Sequence, residues 1–323
     1  MMDKVAVVGD VLMDLIIFMD KLHITSGSYS VNDYYFLPGG SSANYATALA
    51  RLGIITFFIG KIGGDEFGRR LVDEFKKDGV NLDYAVIDAE SKSSLALILI
   101  DKQMKRASLT YWKTYSSLKL EELDLSFLDQ VKMLSISGYS FISNPMRSVT
   151  IQLIKLAKKS GKKIFLDPCP CLPRHGLNLL KKTLKYIDII TPNRNELVML
   201  TNTKNLRASL IQLQRAGPKL VVAKLGSKGC IVNDEGKIMV VPPFDVKVVE
   251  TGGAGDAFCA GLTMGLLRGL SSFEAATVAN AMGALATTKV GSRTALPSLK
   301  ELRDFLEARK NILGIENILA KLG

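Results

Sequence analysis

The sequence predicts an α/β fold: a mainly parallel central sheet with helices on both faces, carrying a small β-sheet lid. Three observations predict it. Short apolar, β-branched runs alternate with helical stretches along the chain, and each run ends at Gly, Pro or a polar residue. Strands buried on both faces read as continuous apolar runs, as parallel strands covered by helices must. The rhythm stops in two places, residues 12–37 and 92–114, which alternate at period two without helices between them.

The runs, in order, are "KVAVVG", "IITFFIG", "VKMLSISG", "KKIFLDP", "YIDIITPN" and "KLVVAKLG". Between them lie amphipathic or small-residue helices such as "SSANYATALARLG", "DEFGRRLVDEFKKDG" and "PMRSVTIQLIKLAKKSG". The two interruptions predict a small antiparallel sheet standing off the body as a lid, with one hairpin turning around Asp101 to Arg106. A further hairpin turns at Asp234 to Gly236. With no repeat, linker or low-complexity segment, residues 1–323 read as one domain with the lid segments inserted.

Composition narrows the function. At 47% hydrophobic and 23% charged residues the chain has a globular composition, and no apolar run approaches the roughly 18 residues of a membrane span. "MMDKVAVVGD" enters a strand directly, without a signal-peptide pattern, so a cytoplasmic location is expected. Cys169, Cys171, Cys230 and Cys259 form no CxxC pair, and "DPCPC" alone cannot fill a tetrahedral metal site. The net charge of +11 comes from short clusters such as "KKSGKK", which read as solvated faces. No nucleic-acid-binding motif accompanies them, so no nucleic acid and no membrane partner is expected. Two histidines, no HExxH, no GxSxG and no GxxxxGK[ST] set aside zinc-protease, serine-hydrolase and P-loop chemistry.

In parallel sheets ligands bind where strands end, and polar residues cluster there. In "VVETGGAGDAF" the lone carboxylate between Glu250 and Arg268 is Asp256, at the mouth of a helix behind Gly253, Ala254 and Gly255. Small residues leave backbone N–H groups open, a cradle for a transferring phosphoryl group or another anion, and an acid beside it suits proton removal from an attacking hydroxyl. A first-turn acid complementing the helix dipole is the structural alternative. "LPGGSSANYATALARLG" repeats glycines (Gly39, Gly40) opening a helix, with Asn44 on its first turns. Asp14 lies just beyond the first strand and can accept two hydroxyl hydrogen bonds. Asn193 and Glu196 stand three apart at a strand-to-helix junction, suited to Mg²⁺ and phosphate oxygens. "KLGSKG" is a turn between strands able to approach a nucleotide closely. Each also reads as ordinary structure, Asp14 and Asn193 as caps and the glycines as turns.

Together and in this order, "GGSSANYA", "GKIGGDEFG", "TPNRNE", "KLGSKG" and "ETGGAGDAF" resemble the ribokinase-like (PfkB) carbohydrate kinases over nearly the whole chain. The resemblance implies ATP-dependent phosphoryl transfer, with Mg²⁺, to a primary hydroxyl of a sugar, either a ketohexose or a pentose. A nucleoside or other polyol is the alternative acceptor, and a catalytically silent nucleotide-binding regulator the alternative class. It also implies Asp256 as base, with Gly253, Ala254 and Gly255 as anion hole. Asp14, Gly39, Gly40 and Asn44 would contact sugar, and Asn193 and Glu196 phosphate and metal. Lys224, Gly226, Ser227, Gly229 and Asn280 would contact nucleotide. The lid is the family's β-lid, which in several members forms a dimer clasp. Departures are Glu250 for the usual Asp, Gly252 for Thr or Asn, Lys224 for Thr, Ser41 for the Lys of ribokinases proper, and "DPCPCLPRH" for "DxNxR". Many relatives bind K⁺ at the acid that begins this signature. With Glu250 there and Ala295 in "GSRTALP", a displaced carboxylate and weak K⁺ activation are expected.

Overall fold

The computed structural model describes residues 3–103, 105–172, 174–312 and 314–322. All six apolar runs form strands of one sheet: β1 (Lys4–Val8), β4 (Ile55–Ile59), β9 (Met133–Ser137), β10 (Lys163–Asp167), β11 (Ile189–Ile190) and β12 (Leu220–Lys224). They are mutually parallel in the order β12-β11-β10-β9-β1-β4, and β13 (Cys230–Asp234) and β14 (Lys237–Val241) extend the β12 edge antiparallel. The expected hairpin at Asp234 to Gly236 is the β13–β14 turn, with Glu235 and Gly236 at positive φ (46° and 99°).

Alternation along each strand feeds two separate cores. Val5, Val7, Met133, Phe165 and Val222 point into one, and Ala6, Val8, Leu134, Ile164 and Val221 into the other. The first is closed by helices Ser41–Arg51, Glu66–Lys77, Ala254–Leu267 and Ser272–Ala286. The second is closed by Met146–Lys159, Arg194–Thr201 and Leu206–Arg215. Two apolar faces leave the strand ends as the place where polar residues gather.

Helices Ala254–Leu267 and Ser272–Ala286 approach closely through small residues. A Cβ on Gly261 would lie 3.0 Å from Ala279 Cα, and one on Gly265 would lie 2.9 Å from Ala275 Cα. No larger side chain fits without separating the pair.

The segments 12–37 and 92–114 do form a separate small sheet: β2 (Leu12–Met19), β3 (Asp33–Gly39), β7 (Leu95–Asp101) and β8 (Arg106–Tyr111), in the order β3-β2-β7-β8. The sheet is mixed rather than antiparallel. Each segment supplies one hairpin, β2/β3 and β7/β8, and the hairpins meet through their outgoing strands, so β2 and β7 run parallel. The 101–106 turn is where expected, although Met104 within it lies outside the described residues. The end of the second segment departs from β structure at a short helix, Lys113–Ser116. A third pairing joins β5 (Lys61–Gly63) to β6 (Val86–Asp88) in parallel.

The close helix pair gives the first prediction. Gly265→Leu overpacks the contact and costs about 1–3 kcal/mol, read as a lower urea midpoint at unchanged slope. An unchanged midpoint would show that the pair is loosely packed.

Candidate active site

The site is built from the helix Ser41–Arg51 upward. β1 ends at Val8, and Gly9 and Asp10 follow it. Asp10 Oδ2 accepts from the Ser41 backbone N–H at 2.7 Å, while Oδ1 accepts from the Ser42 N–H at 3.1 Å and the Ser42 hydroxyl at 2.8 Å. Gly40, at φ 97°, permits this: a Cβ there would lie 2.8 Å from Asp10 O. The opening N–H groups of this helix are therefore spent on Asp10, and the helix presents side chains rather than an anion cradle.

Those side chains meet Asp256. Ser41 Oγ donates to Asp256 Oδ1 at 2.7 Å, and Asn44 Nδ2 donates to Oδ2 at 3.0 Å. Burial pushes Asp256 from 3.8 up to about 7, against the pull of those two bonds, with Asp167 and Asp10 adding like charge. Asn44 is itself oriented: Arg293 Nε donates to its Oδ1 at 3.2 Å, and Arg293 Nη2 donates to Gly39 O at 2.7 Å. Arg293 is 2% exposed and lies over the Phe75 ring, 4.9 Å from its centroid. Burial lowers it to about 10, which leaves it charged at neutral pH. Sequence reasoning missed Arg293 and Asp10, although "GSRTALP" and "VVGD" were both in view.

Asp14, on β2, faces the same way as Ile16 and packs against Gly39; a Cβ on that glycine would sit 2.3 Å from Asp14 Oδ2. Burial raises Asp14 to about 6, with Arg106 and Arg293 opposing. This face of the small sheet borders a cavity of about 510 Å³ lined by Ile16, Phe18, Tyr35, Leu37, Glu250 and Val290.

Helix Ala254–Leu267, which carries Asp256, has no side-chain cap, whereas Asp65, Asn193, Asn205, Ser271 and Ser298 cap others. Its N-cap is Gly253 in the left-handed region at φ 75°, and a Cβ there would lie 2.1 Å from Ser292 O. The loop that holds Arg293 thus also fixes the start of this helix. Glu250 Oε2 accepts from the Gly291 N–H at 2.7 Å.

On the opposite side of Gly255 lies a cavity of about 740 Å³, lined among others by Gly226, Ser227, Gly229, Ala254, Gly255 and Asn280. Asn280 spends its amide nitrogen on Val241 O at 3.2 Å and Pro242 O at 2.8 Å. "KLGSKG" is a single 3₁₀ turn, Gly226–Lys228, between β12 and β13, with Gly226 and Gly229 at φ 60° and 76°. An adjoining cavity of about 510 Å³ is lined by Asn193, Arg194, Asn195, Lys224 and Gly226. Asn193 and Glu196 close a capping box here: Asn193 Oδ1 accepts from Glu196 N–H at 2.9 Å and Glu196 Oε2 from Asn193 N–H at 2.8 Å. Burial pushes Glu196 to about 7, partly opposed by Lys224. Lys224 Nζ donates to Asp167 Oδ1 at 2.6 Å, an oxygen that Thr191 Oγ1 also reaches at 2.7 Å. Among the described residues no group of three or more His, Cys, Asp or Glu side chains is placed to hold a metal ion, and no helix is long and apolar enough to cross a membrane.

The structure therefore gathers the expected residues into two sets that meet at Asp256. Asp14, Gly39, Gly40 and Asn44 stand on the small-sheet side. Asn193, Glu196, Lys224, Gly226, Ser227, Gly229 and Asn280 stand on the cavity side, with Ala254 and Gly255 between.

Comparison with known proteins identifies the family. Residues 2–299 match the family model described as pfkB family carbohydrate kinase. An uncharacterized sugar kinase of Archaeoglobus fulgidus is 34% identical over 77% of this chain and 98% of its own length. Fructokinase-2 of Oryza sativa subsp. japonica is 32% identical over 85% of this chain and 86% of its own. The fructokinase of Vibrio cholerae O395, solved with fructose, ADP and calcium ion, superposes with a TM-score of 0.82 at 27% identity, covering 94% of this chain and 99% of that one. The chain belongs to the pfkB family of carbohydrate kinases and is a phosphotransferase that acts on a sugar hydroxyl.

Proposed function

We propose that the chain transfers the γ-phosphoryl group of ATP to a primary hydroxyl of a ketohexose or a pentose. The observation that carries this reading is the position of Asp256. Its carboxylate faces hydroxyl- and amide-bearing side chains on one side, and Ala254 and Gly255 just ahead of it line a nucleotide-sized cavity on the other. The fructokinase relatives favour a ketohexose.

The residues fit the roles the reading gives them. Gly226 has open space where a Cβ would stand, so the turn can lie flat against a nucleotide, and Asn280 borders the same cavity. Gly253, Ala254 and Gly255 form the start of an uncapped helix whose backbone N–H groups receive the transferring phosphoryl group, with Ala254 N–H leaving its long bond to Thr251 O. Asn193 and Glu196 hold the phosphate end. Glu196, with Asn193, would hold a hydrated Mg²⁺ ion through its water shell, since among the described residues no cluster of ligating side chains encloses one. Bound ATP supplies the phosphoryl group, and its Mg²⁺ spreads the phosphate charge. Asp14, Gly39, Gly40 and Asn44 bind and orient the sugar.

Asp256 removes the hydroxyl proton. Ser41 and Asn44, now on its oxygens, are the groups a sugar hydroxyl would displace or share. The small sheet acts as a lid that excludes water. Its outward face, where Tyr34, Leu109 and Tyr111 are exposed, takes a second copy of the chain. Such an ATP-dependent enzyme works in the cytoplasm.

A panel of ketohexoses, pentoses and nucleosides, followed by coupled ADP release, tests the reading. One ketohexose or pentose is expected to give turnover that Asp256→Asn reduces by ~10²–10⁴ while ATP still binds. No sugar-dependent ADP release, or wild-type turnover in Asp256→Asn, would refute it.

Glu250 has Oε2 tied to Gly291 N–H, which leaves only Oε1 to reach a monovalent cation. Replacing tetramethylammonium by potassium at equal ionic strength is expected to raise the rate at most a few-fold. A hundredfold rise would show that Glu250 leaves Gly291 for the cation.

A further inference from the structure

We propose that Lys224 is a catalytic residue: its ammonium is the positive charge that meets the transferring phosphoryl group, and Asp167 positions it until that group arrives. The proposal rests on the kinase reading above and assigns a charge that reading leaves unplaced.

Lys224 borders both the large cavity and the cavity beside Asn193, and Gly226 is the other residue common to the two. A Cβ on Gly255 would lie 3.7 Å from Lys224 Nζ, so the ammonium stands directly against the mouth of the uncapped helix. Its mount is rigid. Lys224 ends β12, its backbone N–H donates to Pro192 O at 2.9 Å, and it bridges Asn193. The ammonium has three donors, and its partners are Asp167 Oδ1 at 2.6 Å and the weak acceptor Cys259 Sγ at 3.9 Å.

The other side of Asp256 is neutral in contact, since Ser41 and Asn44 are what touch the carboxylate. A phosphoryl group in transfer carries its charge on three equatorial oxygens, and a cation in a water-excluded site is worth far more there than in water. Burial disfavours the charge on Lys224, but the Asp167 carboxylate, with Glu196, more than offsets this and keeps it protonated. A pair whose side chains are 15% and 19% exposed contributes little net stability compared with apolar residues. Stability alone is thus a weak reason for its presence beside Gly255.

In the step itself the acceptor oxygen forms a bond to the γ-phosphorus. The bond from that phosphorus to the bridging oxygen breaks, its electron pair leaves with ADP, and the hydroxyl proton passes to Asp256. Lys224 pivots from Asp167 onto a γ-phosphoryl oxygen and stays protonated throughout.

The test compares wild type, Lys224→Met, Lys224→Arg and the double variant Lys224→Met/Asp167→Leu, in which no charge is left buried alone. Binding of ADP and of a non-hydrolysable ATP analogue is measured by calorimetry, and kcat and both KM values are measured with the sugar that turns over. Lys224→Met and the double variant are expected to lose ~10²–10³ in kcat with sugar KM unchanged. They should bind ADP as wild type does while losing at least ~10-fold in affinity for the ATP analogue, the size of one charge-assisted contact. Lys224→Arg should recover part of both. Equal losses for ADP and the analogue, or a double variant with wild-type kcat, would overturn the proposal. A wild-type protein that binds neither nucleotide would overturn the kinase reading itself, and this proposal with it.

Discussion

A carboxylate buried at the mouth of a helix is costly unless its oxygens are satisfied. Asp256 meets that constraint with two donors from another helix, Ser41 Oγ and Asn44 Nδ2. The amide of Asn44 must then face one way, nitrogen toward Asp256, and Arg293 fixes it by donating to the oxygen. Arg293 in turn grips Gly39 O, whose residue packs against Asp14. One chain of hydrogen bonds therefore runs from the proposed base to the residues proposed to hold the sugar. Moving any member changes what Asp256 can accept.

The same loop serves the other half of the site. Ser292 O lies where a Cβ on Gly253 would stand, and Gly291 N–H is held by Glu250. The helix start, the glycine run and the Arg293 side chain are thus set by a few consecutive residues. Behind them the close contact of Gly261 and Gly265 with Ala279 and Ala275 prevents the helix from sliding. The outcome is a fixed boundary between two compartments, which suits chemistry that depends on positioning and electrostatics more than on covalent intermediates.

Much of this was legible in the sequence because it is local. Strand runs, the two interruptions that form the small sheet and the glycines ahead of Asp256 are each read within about a dozen residues. What was not legible joins residues far apart: Arg293 to Asn44, Asp10 to Ser41, Asp167 to Lys224. The parallel pairing of β2 with β7 was hidden for the same reason, since each hairpin is local but their meeting is not. Asn193 and Glu196 read equally as cap or ligand, and the structure shows why: they form a capping box, and Asn193 also borders the cavity. Lys224 was visible as a departure, yet only its distance to Gly255 gives the departure a chemical meaning.

The central claim is that a buried Asp256 is the base, and the pH dependence of kcat/KM tests it most directly. A carboxylate takes a proton only when ionised, and burial moves Asp256 from 3.8 to about 7. The rate is therefore predicted to hold above about pH 7 and to fall about tenfold per unit below it, more steeply once Asp14, raised to about 6, also protonates. A profile that stays flat from pH 8 to pH 5 would contradict the account, because it would require either an ordinary exposed carboxylate or a base other than Asp256.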